Sequence, residues 1–122
     1  MKDNIKQHDW GYEIAWVTKD TYYSKIIAFN KPARTSMSFH KLRNKSWFIN
    51  DGQFKIRWID TKTGQAYESE LKEGLTFDVP ALMPISIECI SPTGSFTEVG
   101  DVSKTDDAYH LSPTGVANDS TP

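Results

Sequence analysis

Along most of this chain apolar and polar residues alternate with a period of two, the mark of strands that bury one face. Tyr22 to Phe29 is rich in β-branched and aromatic residues and stops at Asn30-Lys31-Pro32. Thr35 to His40 alternates cleanly, with Ser36, Ser38 and His40 on one face and Met37 and Phe39 on the other. Trp47 to Ile49 and Phe54 to Ile59 flank Asn50-Asp51-Gly52-Gln53, whose Asp-Gly pair predicts a hairpin turn. In the second of these runs Phe54, Ile56 and Trp58 face one way, and Lys55 and Arg57 the other. Thr63-Gly64-Gln65 marks a turn before Ala66 to Leu71, and Glu73-Gly74 precedes Leu75 to Val79. Pro84 opens Ile85 to Ile90, Ser91-Pro92-Thr93-Gly94 closes it, and Phe96 to Val99 makes a last strand. Only the stretch from Asp106 to His110 suggests a short helix. Some eight short strands between Gly and Pro turns predict an all-β sandwich or barrel, and at this length a jelly-roll barrel.

The 122 residues are the size of one domain. We assign it to residues 1–111, and expect the Ser-, Thr- and Pro-rich stretch 112–122 to be a flexible tail. The 14 Lys and Arg against 16 Asp and Glu leave a formal charge of -2, so there is no basic face to argue for nucleic acid. Cys89 is the only cysteine and cannot form an internal disulfide; it reads as a reduced, buried thiol. Met1 to Lys6 lacks the apolar run of a signal peptide, and no apolar stretch approaches a membrane span, so the expected location is the cytoplasm and no membrane partner is implied. A Gly-x-Ser-x-Gly elbow and a Gly-rich phosphate loop are both missing.

Some landmarks match the two motifs that carry metal ligands in cupins. Gly52 serves as the closing Gly of the first, which puts its Glu position at Lys45, its second His at His40 and its first ligand at Ser38. Gly74 and Pro80 have the spacing of the second motif, and put its His at Ile85 and its Asn at Cys89. The chain further resembles the cupin domain of type II mannose-6-phosphate isomerases, often fused behind a mannose-1-phosphate guanylyltransferase. Trp10-Gly11 matches the family's Trp-Gly, and Tyr23, Lys25, Ile26 and Ile27 match its Tyr and Lys before a β-branched pair. Ser36 to Trp47 aligns with its Ser-Leu-Gln-x-His-x-x-Arg/Lys-x-Glu-x-Trp block. Glu98-Val99, Asp106-Asp107 and His110-Leu111 hold the places of its C-terminal landmarks, so the likeness runs over roughly residues 8–112.

The resemblance implies a double-stranded β-helix. It also implies a ligand set at Ser38, His40, Lys45 and Ile85 (Pro84 if the register slips by one), of which only His40 keeps a donor of the family's kind. A divalent ion needs three or four convergent donors, and Lys45 would add a positive charge beside it. No metal or other cofactor is therefore expected, and metal-assisted isomerisation is not.

What remains is a polar cavity stripe. Ser36, Ser38, His40 and Lys45 are the expected ligand-binding residues, with Arg43 as a contact for an anion. The bland alternatives are a half-buried, hydrogen-bonded His40, a Lys45 that reaches solvent at the rim, and an Arg43 that covers apolar surface. Trp10, Trp16, Trp47 and Trp58 suit core or interface packing, or a platform for sugar rings. His8 and His110 have no motif partner, and Asp106-Asp107 suit a cap or an anchor. The first functional expectation is a binding module for a carbohydrate, a sugar phosphate or a nucleotide sugar, without metal catalysis. A second is a metal-free sugar isomerase or epimerase, with His40 as its one catalytic candidate, a general base paired with Tyr22 or Tyr23 as acid. A third is a purely structural cupin. A homodimer is expected in each case.

Overall fold

Residues 4–102 and 108–111 are described by the computed structural model, and among them there are twelve strands and no α-helix. The strands are β1 (Ile5–His8), β2 (Gly11–Thr18), β3 (Tyr22–Phe29), β4 (Ala33–Arg34), β5 (Met37–His40) and β6 (Lys45–Asp51). They continue as β7 (Gln53–Asp60), β8 (Gln65–Lys72), β9 (Thr76–Val79), β10 (Ile85–Cys89), β11 (Gly94–Asp101) and β12 (Ala108–Leu111). One sheet has the order β1-β2-β3-β11-β6-β9 and the other β12-β5-β10-β7-β8, with β4 also paired to β10. Every pairing is antiparallel. This is the jelly-roll barrel expected from the strand pattern, and each predicted strand is present.

Two expectations need correction. The Asp51-Gly52 turn does not close a hairpin, because β6 belongs to the first sheet and β7 to the second. Gly52 has φ +86°, and a Cβ there would meet the Thr93 carbonyl oxygen at 2.6 Å, so the glycine makes a corner packed against the loop before β11. The chain changes sheets at this corner, as strands do where two sheets share a barrel. The short helix around Asp106 to His110 is also absent where the chain is described. Ala108–Leu111 is a strand whose backbone pairs with Met37 to His40 of β5, and non-local partners of this kind override weak local propensity. Asp106 and Asp107 lie outside the described residues, as does the stretch 112–122.

The core draws on both sheets. Ile27, Phe29, Trp47, Ile49 and Phe96 come from the first, and Phe54, Ile56, Ile85, Ile87 and Cys89 from the second. Phe54 meets Phe29 and Phe96 edge-on, at 5.6 and 5.4 Å between ring centroids, which ties the walls together. Trp10 stacks on Phe29, and Trp58 packs against the core. Trp16, 58% exposed, lies at the register irregularity of β2. Cys89 is free and buried, and burial raises its thiol pKa. Among the described residues no helix is long and apolar enough to cross a membrane.

The outer faces differ. Ile5, Ile14, Ile26, Thr97 and Phe48 are successive cross-strand neighbours on the outside of the first sheet. On the outside of the second, Arg57 bonds Glu88 at 3.0 Å, and both Arg57 and Lys55 pair with Glu68.

Candidate functional site

The inner face of the first sheet is apolar through its middle and turns charged one register step further along. Ile27, Phe96 and Ile49 form one inward row. The next inward row is Lys25, Glu98, Trp47 and Phe77, and the one after it Tyr23, Gly100, Lys45 and Val79. The same period of two that builds the core thus delivers two lysines, a glutamate and a tyrosine to the end of the wall.

Glu98 is the centre of this array. Its carboxylate is buried and accepts hydrogen bonds from Tyr23 Oη at 2.5 Å and Trp47 Nε1 at 2.8 Å, while Lys45 Nζ lies 3.7 Å from Oε1. A buried carboxylate survives only when cations and donors replace its water. Burial alone would raise its pKa. The charges of Lys45 and Lys25, with the bonds from Tyr23 and Trp47, outweigh that and hold it at about 2. Tyr23 is pushed the other way: burial first, then the charge and hydrogen bond of Glu98, raise its pKa well above the ordinary range, and Arg43 offsets only part of this. Its proton therefore stays on the phenol. Gly100 makes the arrangement possible, since a Cβ there would come within 2.7 Å of the Tyr23 ring and hydroxyl.

Arg43 caps the array, with its guanidinium carbon 4.9 Å from the Tyr23 ring centroid. Its Nε is buried without a hydrogen-bond partner. On the other side Lys25 bonds the buried Glu13 at 3.0 Å, and Glu13 also bonds His8 Nε2 at 2.7 Å. The His8 ring stacks on Trp10 at 4.3 Å, nearly parallel. A line of alternating charge therefore runs from Glu13 through Lys25 and Glu98 to Lys45, with the His8 ring hydrogen-bonded at its Glu13 end.

The structure brings Arg43 and Lys45 together around Tyr23 and Glu98. Lys45 points inward, its side chain 13% exposed, rather than out to solvent. Ser38 and His40 stand on β5 in the opposite sheet, with Ser38 directly across from the core residue Ile85. The His40 carbonyl accepts a hydrogen bond from the amide of Leu82, which takes the left-handed conformation at φ 71°. Ser36 is buried just before β5. Sequence reasoning did not identify Glu13, Lys25 or Glu98 as site residues and gave His8 no partner. The signal was present: Lys25 shares the parity of Ile27 and Phe29, and Glu98 that of Phe96, so each is a charge on an apolar period.

No protein-family model matches the chain, and no curated protein matches its sequence. Solved structures do match its fold. Oxalate decarboxylase from Bacillus subtilis, described for its Mn(II) centres, superposes with a TM-score of 0.77 at 20% identity over 88% of this chain and 30% of that one. Oxalate decarboxylase from Lactobacillus farciminis, as a formate complex, gives 0.76 at 16% identity, over 88% and 33%. CapF with the inhibitor 3-isopropenyl-tropolone gives 0.78 at 15% identity, over 88% and 33%. The chain thus spans about a third of the length of each.

A Mn(II)-like centre does not fit the residues here. Among the described residues no three His, Cys, Asp or Glu side chains are grouped so that they could hold an ion. At the positions where the sequence comparison puts ligands, Lys45 brings an ammonium and Ile85 is packed in the core. Neither can donate to a cation.

Proposed function

We propose that this cupin barrel is a binding module for a sugar phosphate or nucleotide sugar, resembling the barrel of type II mannose-6-phosphate isomerases but working without their metal chemistry. The observation that carries this reading is the convergence of Arg43 and Lys45 on one end of the inner wall, where with Lys25 they outnumber the buried carboxylates Glu13 and Glu98. Lys45 is an ion-pair partner of Glu98 at 3.7 Å, beyond hydrogen-bond reach, so its N–H donors are open to an incoming phosphate. Ser36, Ser38 and His40 would meet the rest of the ligand from the facing sheet.

The metal-free isomerase reading has less support. Tyr23 is committed to Glu98 and holds its proton too tightly to serve as an acid near neutral pH, and Tyr22 is exposed at the end of β3.

Titration calorimetry with mannose phosphates and nucleotide sugars tests the proposal. We expect measurable heat, and a weakening of at least about tenfold in Arg43→Gln, the cost of one charge-assisted contact. Silence with every phosphorylated sugar would sink it. As a partner for the apolar outer face of the first sheet, where Ile5, Phe48 and Val99 are exposed, we propose a second copy of this chain.

A further inference from the structure

The charges of the interior array nearly cancel. Lys25 pairs with Glu13 at 3.0 Å and Lys45 with Glu98 at 3.7 Å, all four side chains largely out of water. Burial alone would neutralise Glu98, but the charges of Lys45 and Lys25 hold its pKa at about 2, so it stays an anion. The two lysines are therefore matched by the two carboxylates. Arg43 is the cation left over, since among the described residues no carboxylate is paired with it. It rests instead on the Tyr23 ring, whose face carries no net charge. Its Nε is buried and has no hydrogen-bond partner. Such a donor is costly to leave unmade, and an anion beside it would satisfy it.

The Nε–H and one Nη–H of a guanidinium lie side by side and suit two oxygens that share a charge. The carboxylate of a sugar acid has such a pair. So does a phosphate bonded through two of its oxygens, as each phosphate of a nucleotide sugar is. The free phosphate of a sugar phosphate differs: with a second pKa of about 6, it carries nearly two charges at neutral pH. Arg43 would balance one of them. Lys45 can still offer an N–H, but its charge is already met by Glu98. The second negative charge would stay unbalanced away from bulk water.

Building on the interior site proposed above, we propose that it admits its anion only as a single negative charge spread over two oxygens. A phosphomonoester then enters only after it has picked up a proton. The groups around the anion are Arg43, Lys45 and Tyr23, with Glu98 and Lys25 behind them. Glu13 and His8 lie beyond, and His40 stands on the facing strand.

The test is calorimetry on the whole chain with a hexose 6-phosphate, its methyl diester and the matching hexuronate. Only the monoester changes charge in the working range. Relative to the other two, its affinity should fall about tenfold from about pH 5 to about pH 7, as its proton is lost. The diester and the uronate carry any response of the protein's own groups, His8 and His40 included. Arg43→Gln should weaken the diester at least about tenfold, and an unchanged affinity would overturn the proposal. A monoester whose affinity relative to the diester is the same at both pH values overturns it too, and leaves the interior site standing. Binding of the uronate alone would remove the phosphorylated ligands and keep the single-charge rule. Silence from every probe removes both.

Discussion

The two inner walls of the barrel differ in what they bury. The wall from the second sheet is apolar along its central strands, with Phe54, Ile56, Ile85, Ile87 and Cys89 all closed from solvent. The wall from the first begins the same way, at Ile27, Phe96 and Ile49, and ends in Lys25, Glu98, Tyr23 and Lys45. Outside the barrel the contrast is reversed, with an apolar row over the first sheet and ion pairs over the second. Buried ion pairs rarely stabilise a fold more than well-packed apolar groups of the same volume. The charged end of the first wall therefore adds little to stability, in keeping with the binding role proposed for it, while the second wall carries the packing.

Three substitutions sharpen the comparison. Phe54→Ala, at the centre of the apolar wall, should cost about 4 kcal/mol in denaturant unfolding and leave acid sensitivity intact. Glu98→Gln should cost about 3 kcal/mol, since it strands the buried Lys45 beside a neutral group, while Lys25 keeps Glu13. It should also change the pH profile. With its folded pKa near 2 against an ordinary 4.5, Glu98 contributes stability that is complete above pH 4.5 and lost as the pH falls toward 2. Melting curves across that window should fall less steeply in the variant; an unchanged slope would mean that Glu98 is not the buried anion described above. Arg57→Ala, on the ionic outer face, should cost less than about 1 kcal/mol, because exposed pairs are screened. A larger loss would show that the outer network matters more than its exposure suggests.

Strand positions were largely legible in the sequence, because Phe54, Ile56 and Trp58 or Met37 and Phe39 advertise their parity. Sheet membership was not. Asp51-Gly52 has the composition of a hairpin, and nothing local says that β6 pairs with β11 and β7 with β10. The N-terminal strand β2 was hidden for another reason. Its inward residue is Glu13, while Tyr12 is exposed, so the usual apolar-in pattern runs backwards there. The candidate site was half visible. Arg43 and Lys45 stood out against a family pattern, whereas Glu98 becomes meaningful only once strands far apart in sequence set Tyr23, Lys45 and Trp47 around it.

The pairing of β3 with β11, from Tyr22 with Asp101 to Phe29 with Gly94, also governs how the molecule is made. A ribosome releases β3 well before β11 exists, so the first sheet stays open down its middle until most of the chain has emerged. During that interval Lys25 and Tyr23 face water in place of Glu98. Lys25 then puts an inward charge on the unfinished ribbon, a feature that discourages its open edge from pairing with a neighbouring nascent chain.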